Sequence, residues 1–348
     1  MAGIYRPNPT ARVAPDPLHR HALIRKVWAT LKEFTLKHPL NTWALVLAGG
    51  EGTRLQGLTR NVHGVVVPKQ FCSLQGGPSL LQEALQRAAT VAPMTRVCTV
   101  VAAQHRHWWT SMLSYLPERN VIVQPQNRGT AHGILLPLLR ILERDPLATL
   151  VMVPADHYLR DEEVMNAALR QASELAQANP EAIYLLGIEP EEADPELGYI
   201  LPASRTRDQA VAVLTFIEKP AAARAHILVE QGALWNSFVI AASARVLFKL
   251  FEVAFHSAIT AMRNLNDAEL DMAYQHLRSV DFSRDVLQGN EGVLQVLPVP
   301  PCGWTDLGTP RRVDATLSRL AQDAVGPAPR PYFPTHLNLS QQILRQRA

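Results

Sequence analysis

Residues 43–55 read WALVLAGGEGTRL, an apolar, strand-like run from Trp43 to Ala48 that opens straight into a glycine-rich turn ending in a cation. That order suits a phosphate site. Gly49, Gly50 and Gly52 carry no side chain to keep a polyanion from the backbone N–H groups, and Arg54 adds a fixed fork of donors at the edge. A tight strand-to-loop turn that merely contains glycine is the competing reading. Two familiar phosphate loops are excluded: a Walker loop needs Gly-Lys followed by Ser or Thr, and the dinucleotide fingerprint needs a small residue where Leu55 stands.

From this strand onward the chain alternates. Strands are predicted at Trp43 to Ala48, Val97 to Ala102, Val121 to Val123, Leu150 to Val153 and Ile183 to Gly187, with helical spacing near 78–91, 104–116, 130–144 and 162–178. This is the rhythm of βαβ units and a mainly parallel sheet, an α/β class. The run Val211 to Ile217 leads into Glu218-Lys219-Pro220, and another helix is predicted past Pro310. Open α/β sheets bind ligands at the carboxyl ends of their strands. The glycine loop, Pro154-Ala155-Asp156-His157 and Glu218-Lys219 all leave such ends, so three polar motifs can converge on one crevice.

The flanks read differently. Residues 1–40 form an extension whose Leu23, Val27, Leu31 and Phe34, with Arg25, Lys26, Lys32 and Lys37 around the turn, predict an amphipathic basic helix over about Leu18 to Lys37. Its apolar stripe is expected to pack on the main domain or on a second subunit of a homo-oligomer rather than on an anionic membrane. Residues 41–322 form the main domain, and 323–348 a proline-rich linker and tail.

Composition narrows the class. Charged residues at 19%, hydrophobic residues at 47% and a net charge of +3 describe an ordinary globular protein without the basic stripe that nucleic acid demands. No apolar run reaches the length of a membrane span. Cys72, Cys98 and Cys302 are far apart and form no CxxC pair, so neither a disulfide framework nor a zinc site is indicated, and a cytoplasmic home is expected.

Transfer of a nucleotidyl group requires a held triphosphate, an attacking anion and a stabilised pyrophosphate, so charge neutralisation is the main task. A sugar phosphate with a second pKa near 6, about that of phosphoserine, attacks without a general base. The sequence fits this: it has no GxSxG elbow, while cations and carboxylates stand at loop positions. Asp156 is one candidate magnesium ligand and Asp306, in Gly303-Trp304-Thr305-Asp306-Leu307-Gly308, a second, against helix-cap or Asx-turn readings of each. Lys69, stiffened by Pro68, can bring a point charge to a phosphate, and Glu218-Lys219 can meet sugar hydroxyls and phosphate or be a mere surface ion pair. His105 and His107, beside Trp108 and Trp109, read as an exposed helix start rather than a metal patch, and Cys72 as a small core residue.

Together these segments resemble the sugar-phosphate nucleotidyltransferases, and within them the bacterial mannose-1-phosphate guanylyltransferases. The resemblance runs from about Trp43 to Pro310 through LAGGEGTRL, PKQF, SLLQ at Ser79 to Gln82, PADH, FIEKP, WNS at Trp235, VDFSRDVL at Val280 and GWTDLG. It implies a Rossmann-like three-layer nucleotidyltransferase fold with a mainly parallel mixed sheet, of the glycosyltransferase-A-like kind. It further implies that Leu47, Gly49, Gly50, Gly52, Thr53, Arg54, Gly129 and Thr130 hold the nucleotide, with Arg54 and Lys69 neutralising phosphate. Asp156 and Asp306 would bind Mg2+, while Gly198, Glu218 and Asn236 would contact the hexose and Lys219 its 1-phosphate. Arg54, Lys69, Asp156 and Lys219 are the implied catalytic set.

The implied reaction joins GTP and mannose 1-phosphate into GDP-mannose and pyrophosphate. The alternatives are UTP or another NTP with a different sugar 1-phosphate, or a non-catalytic homologue that binds nucleotide sugars. Two positions depart from the guanylyltransferase pattern. Gly129, in Arg128-Gly129-Thr130-Ala131-His132, resembles loops that read uracil, and Phe238 replaces the glycine of WNSG with a bulky ring beside the expected sugar pocket.

Overall fold

The side chains of the first strand alternate between two buried clusters. Ala44, Val46 and Ala48 join one, and Trp43 and Leu45 the other, so this strand is covered on both faces. The computed structural model describes residues 41–60, 64–74, 76–205, 208–263 and 266–323. The strands are β1 (Thr42–Ala48), β2 (Val97–Ala102), β3 (Val121–Gln124), β4 (Thr149–Pro154), β5 (Ile183–Ile188), β6 (Gly198–Pro202), β7 (Val211–Glu218), β8 (Leu234–Ser243) and β9 (Leu294–Val299). They form one sheet in the order β3-β2-β1-β4-β8-β5-β9-β7-β6, with β6 also paired to β8. β7 and β8 run against the rest.

The helices are α1 (Leu80–Ala88), α2 (Arg106–Met112), α3 (Gly129–Arg144), α4 (Glu162–Ala178), α5 (Ala222–Glu230), α6 (Ala244–Ala254), α7 (His256–Met262), α8 (Asp267–His276) and α9 (Pro310–Asp323). Residues of α1, α2, α4, α5 and α9 fill the cluster on one face, and those of α3, α6, α7 and α8 the cluster on the other. Helices on both sides of a mixed sheet make the expected three-layer α/β fold.

Local chemistry sets several helix starts. Ser79 and Gln82 of SLLQ form a reciprocal capping box, with the Gln82 N–H donating to Ser79 Oγ at 3.3 Å and the Ser79 N–H to Gln82 Oε1 at 2.9 Å. Part of that motif therefore serves helix initiation. Arg87 on α1 donates to Glu162 at the start of α4 through Nε (3.0 Å) and Nη2 (2.7 Å), tying the two helices with a bidentate pair.

The predicted elements up to Ile217 are found, with α2 shorter than its predicted span and preceded by a 3-10 turn at Ala103–His105. β6, α5, β8, the α6–α8 layer and β9 were not predicted. β8 is the most consequential of these, because it runs antiparallel between β4 and β5 and puts its first residues beside the carboxyl end of β4. The predicted amphipathic helix of residues 1–40 and the proline-rich tail lie outside the described residues.

Candidate active site

Strand order lays the polar motifs out in a row along one edge of the sheet. Gln124 ends β3, Gly49 follows β1, Asp156 follows β4, Asn236 lies near the start of β8, and Gly198 on β6 faces Glu218 on β7. A cleft of about 430 Å³ runs along this row. Leu47, Gly49, Gly50, Arg54, Gly129, Thr130, Asp156, Gly198, Glu218, Lys219, Asn236 and Asp306 line it. Gly52, Thr53 and Lys69 are not part of the lining: Thr53 is exposed and Lys69 is buried. Gly52 takes φ 59°, and a Cβ there would crowd Lys69 Cβ at 3.2 Å, so the glycine is what lets the loop close over the lysine.

The glycine loop is braced from below by Gln70 of PKQF, whose Nε2 donates to the carbonyls of Ala48 and Gly50, both at 2.9 Å. Lys69 next to it is only 6% exposed. Its Nζ meets Asp156 Oδ2 at 2.9 Å and donates to the Asp306 carbonyl at 2.7 Å. The ammonium thus holds Asp156 and the GWTDLG backbone together, where the sequence pointed to a charge delivered into an open phosphate site. Arg54 is also paired, to Glu196 at 2.6 Å, but both side chains are about half exposed (52% and 51%) and such a pair yields readily to a polyphosphate.

Asp156 is the centre of the row. Burial opposes its ionisation, yet the charge of Lys69 and hydrogen bonds to the carboxylate prevail and hold it below the usual carboxylate range. Burial pushes His157 down to about 4 against the pull of Asp156 and Asp306, so the ring is neutral. Its Nδ1 accepts from Trp304 Nε1 at 3.2 Å, which places the proton on Nε2, 3.7 Å from Asp156 Oδ1. Asp306 is engaged differently: Arg312 Nε lies 2.9 Å from its Oδ1, Arg312 Nη2 donates to Oδ2 at 3.2 Å, and the Gly308 N–H donates to Oδ1 at 2.9 Å. The same arginine reaches Asp194 at 2.7 Å.

At one end of the row, Gly129 opens α3 with φ 83°. A Cβ there would lie 2.8 Å from both N and C of Val280 and closer still to its oxygen, so no side chain fits without displacing that strand of backbone. The Ala131 N–H donates to the Val280 carbonyl at 3.1 Å, and the Thr130 hydroxyl accepts from the Phe282 N–H at 2.8 Å. Facing them is Gln124, 2% exposed, whose Nε2 lacks a hydrogen-bond partner and whose Oε1 fills the space that side chains at 49 and 133 would take. His132 is buried and caps the turn through Nδ1 to the Arg128 carbonyl at 2.8 Å, a structural part.

At the other end, a Cβ on Gly198 would lie 2.5 Å from Glu218 Oε2 and 3.3 Å from Asn236 Cβ, so these three are packed into one corner. Burial, reinforced by the charge of Asp281, raises the Glu218 pKa despite Lys219 Nζ at 3.6 Å. Asn236 has its Oδ1 taken by the Phe238 N–H at 3.0 Å, and its Nδ2 faces Ser283 Oγ at 3.5 Å. Ser283 opens a π-helical turn, Ser283–Leu287, a form often found at functional sites. Gln124, His157, Glu196 and Arg312 were not singled out from sequence. Gln124 directly follows a predicted strand, the one local signal available, whereas the others matter through partners distant in the chain.

Residues 43–320 match the nucleotidyl transferase family model. The mannose-1-phosphate guanylyltransferase RfbM of Salmonella typhimurium is 34% identical over 284 residues, 76% of this chain and 56% of that protein. The xanthan biosynthesis protein XanB of Xanthomonas campestris is 32% identical over 282 residues, 76% of this chain and 57% of that protein. The chain thus spans a little over half the length of these relatives. A solved structure from Thermus thermophilus, named as a mannose-1-phosphate geranyltransferase, superposes with a TM-score of 0.67 at 27% identity, covering 77% of each chain. The phosphate-type loop, the strand-end carboxylate and the matching relatives agree: this chain belongs to the nucleotidyl transferase family.

Proposed function

We propose that the cleft transfers a nucleotidyl group from GTP to α-D-mannose 1-phosphate, giving GDP-mannose and pyrophosphate. The observation that carries this is the linear order of the row: a base-and-phosphate end at Gln124, Gly129 and the glycine loop, a sugar corner at Gly198, Glu218 and Asn236, and Asp156 between them. An oxygen of the sugar phosphate attacks the α-phosphorus, the new P–O bond forms as the bond to pyrophosphate breaks, and pyrophosphate leaves with the electron pair. The backbone of the glycine loop and Arg54, released from Glu196, meet the triphosphate, and Lys219 meets the sugar phosphate. Lys69 keeps Asp156 ionised and in place. The names of the relatives support mannose and guanine.

Asp156 is suited to Mg2+, since it is ionised, 38% exposed in its side chain and on the cleft wall. Asp306 keeps free lone pairs beside its contacts with Arg312 and Gly308. One or two carboxylates with water and substrate oxygens are what this ion takes, and it would supply charge neutralisation for the phosphates. No cluster of three or more His, Cys, Asp or Glu side chains suited to a metal occurs among the described residues.

A second nucleotide is admitted by one observation. The Gln124 amide carries both donor and acceptor, so it can pair with uracil as well as guanine. Pyrophosphate release measured for the four common NTPs against mannose, glucose and N-acetylglucosamine 1-phosphates with magnesium separates these cases. GTP with mannose 1-phosphate is expected to give the highest kcat/KM; UTP in first place would move the base assignment, and silence from every pair would end the enzymatic reading.

A further inference from the structure

Three residues other than glycine take positive φ among the described residues: Lys219, Phe238 and Leu307, and the first two line the cleft. A bulky side chain in that region costs free energy and persists where the surroundings enforce it. At Phe238 (φ 59°) the enforcing contact is its N–H to Asn236 Oδ1, which fixes the amide with Nδ2 turned to Ser283 Oγ, 3.5 Å away, another residue of the cleft lining. Glycine would make this turn without strain, so the turn explains the backbone and leaves the ring to be explained. The ring is half-buried and stands edge-on to Phe282 at 6.2 Å, and Phe282, fully buried, stacks on Phe251 at 5.8 Å. It is therefore seated on a rigid aromatic base and cannot swing aside cheaply.

We infer that the Phe238 ring is the wall that restricts the sugar corner to an unsubstituted hexose 1-phosphate and shuts out acetamido sugars. Its flat apolar face can lie against the C–H face of a hexose. The amide of an acetamido group pressed on that face would be buried without hydrogen-bond partners. This rests on the proposed sugar-phosphate reaction.

The test compares wild type with Phe238→Gly and Phe238→Ala. For each, kcat/KM is measured for mannose 1-phosphate and an N-acetylhexosamine 1-phosphate with one NTP, alongside the melting shift each sugar phosphate produces. The preference for the plain hexose is expected to fall at least about tenfold in both variants, through a gain with the acetamido sugar. Phe238→Gly should also melt higher than Phe238→Ala, since glycine takes the turn without strain. An unchanged preference in both variants, with wild type active on the hexose, overturns the wall and leaves the reaction standing. Wild type that neither turns over nor is shifted by any sugar phosphate overturns the reaction and the wall together.

Discussion

Asp156 can stay negative on the cleft wall because the Lys69 ammonium lies 2.9 Å away, itself fixed by the Asp306 carbonyl. Opposite charges at that distance in a half-buried place outweigh the desolvation that would otherwise protonate the acid. Gly129 is the other position where one atom decides. The sequence singled it out as a base-reading residue, and the fold gives a steric reason for glycine: the Val280 backbone occupies the place of any Cβ, and φ is 83°. Gly129→Ala is therefore expected to cost about 1–3 kcal/mol of stability and to raise the KM for NTP. Thermal melting and NTP titration check both. Asp156, Glu218 and Asn236 were legible because each stands in a short motif beside a strand end. Arg312 and Glu196 were not, because their meaning lies in Asp306, Asp194 and Arg54, which are distant in sequence or belong to other elements.

The element α1 combines helix initiation with a buried electrostatic joint. Its capping box fixes the first turn, and Arg87 clamps it to α4 through Glu162. Glu83 on the same helix pays for this neighbourhood: burial raises its pKa to about 7, the repulsion of Glu162 adds to the rise, and Arg87 only partly offsets it. A carboxyl whose folded pKa lies above its unfolded value of 4.5 binds its proton more tightly when folded. Its stabilising contribution is full below the unfolded pKa and is lost as pH rises through about 7, where ionising it in place costs on the order of 1–3 kcal/mol. Glu83→Gln should therefore raise the melting temperature at pH 8 and flatten its fall between pH 5 and 8, as seen in melts across that range. A variant that melts like wild type at pH 8 would contradict this. The parallel strands β1 to β4 and the helices between them were legible from apolar runs and helical spacing. β8 was missed because its run, LWNSFVIAAS, mixes polar site residues with core, and because an antiparallel insertion breaks the βαβ rhythm.

The two buried clusters hold the sheet as a rigid plate between helical layers, and the cleft follows the plate's edge from β3 to β7. In the proposed reaction that continuity would set two anionic substrates in line, with their charges met by the glycine loop, Arg54 and Lys219 and with Asp156 between them. Conversion of GTP and mannose 1-phosphate by wild type and by Asp156→Asn, followed through pyrophosphate and GDP-mannose together, examines this arrangement at its centre. Wild type should form the two products in equal amounts, and Asp156→Asn, which leaves the buried Lys69 ammonium without its carboxylate and so melts lower than wild type, should lose at least about a hundredfold in kcat at a temperature where both proteins are folded. Equal rates in the two proteins, or no coupled products from wild type with any NTP, would contradict it.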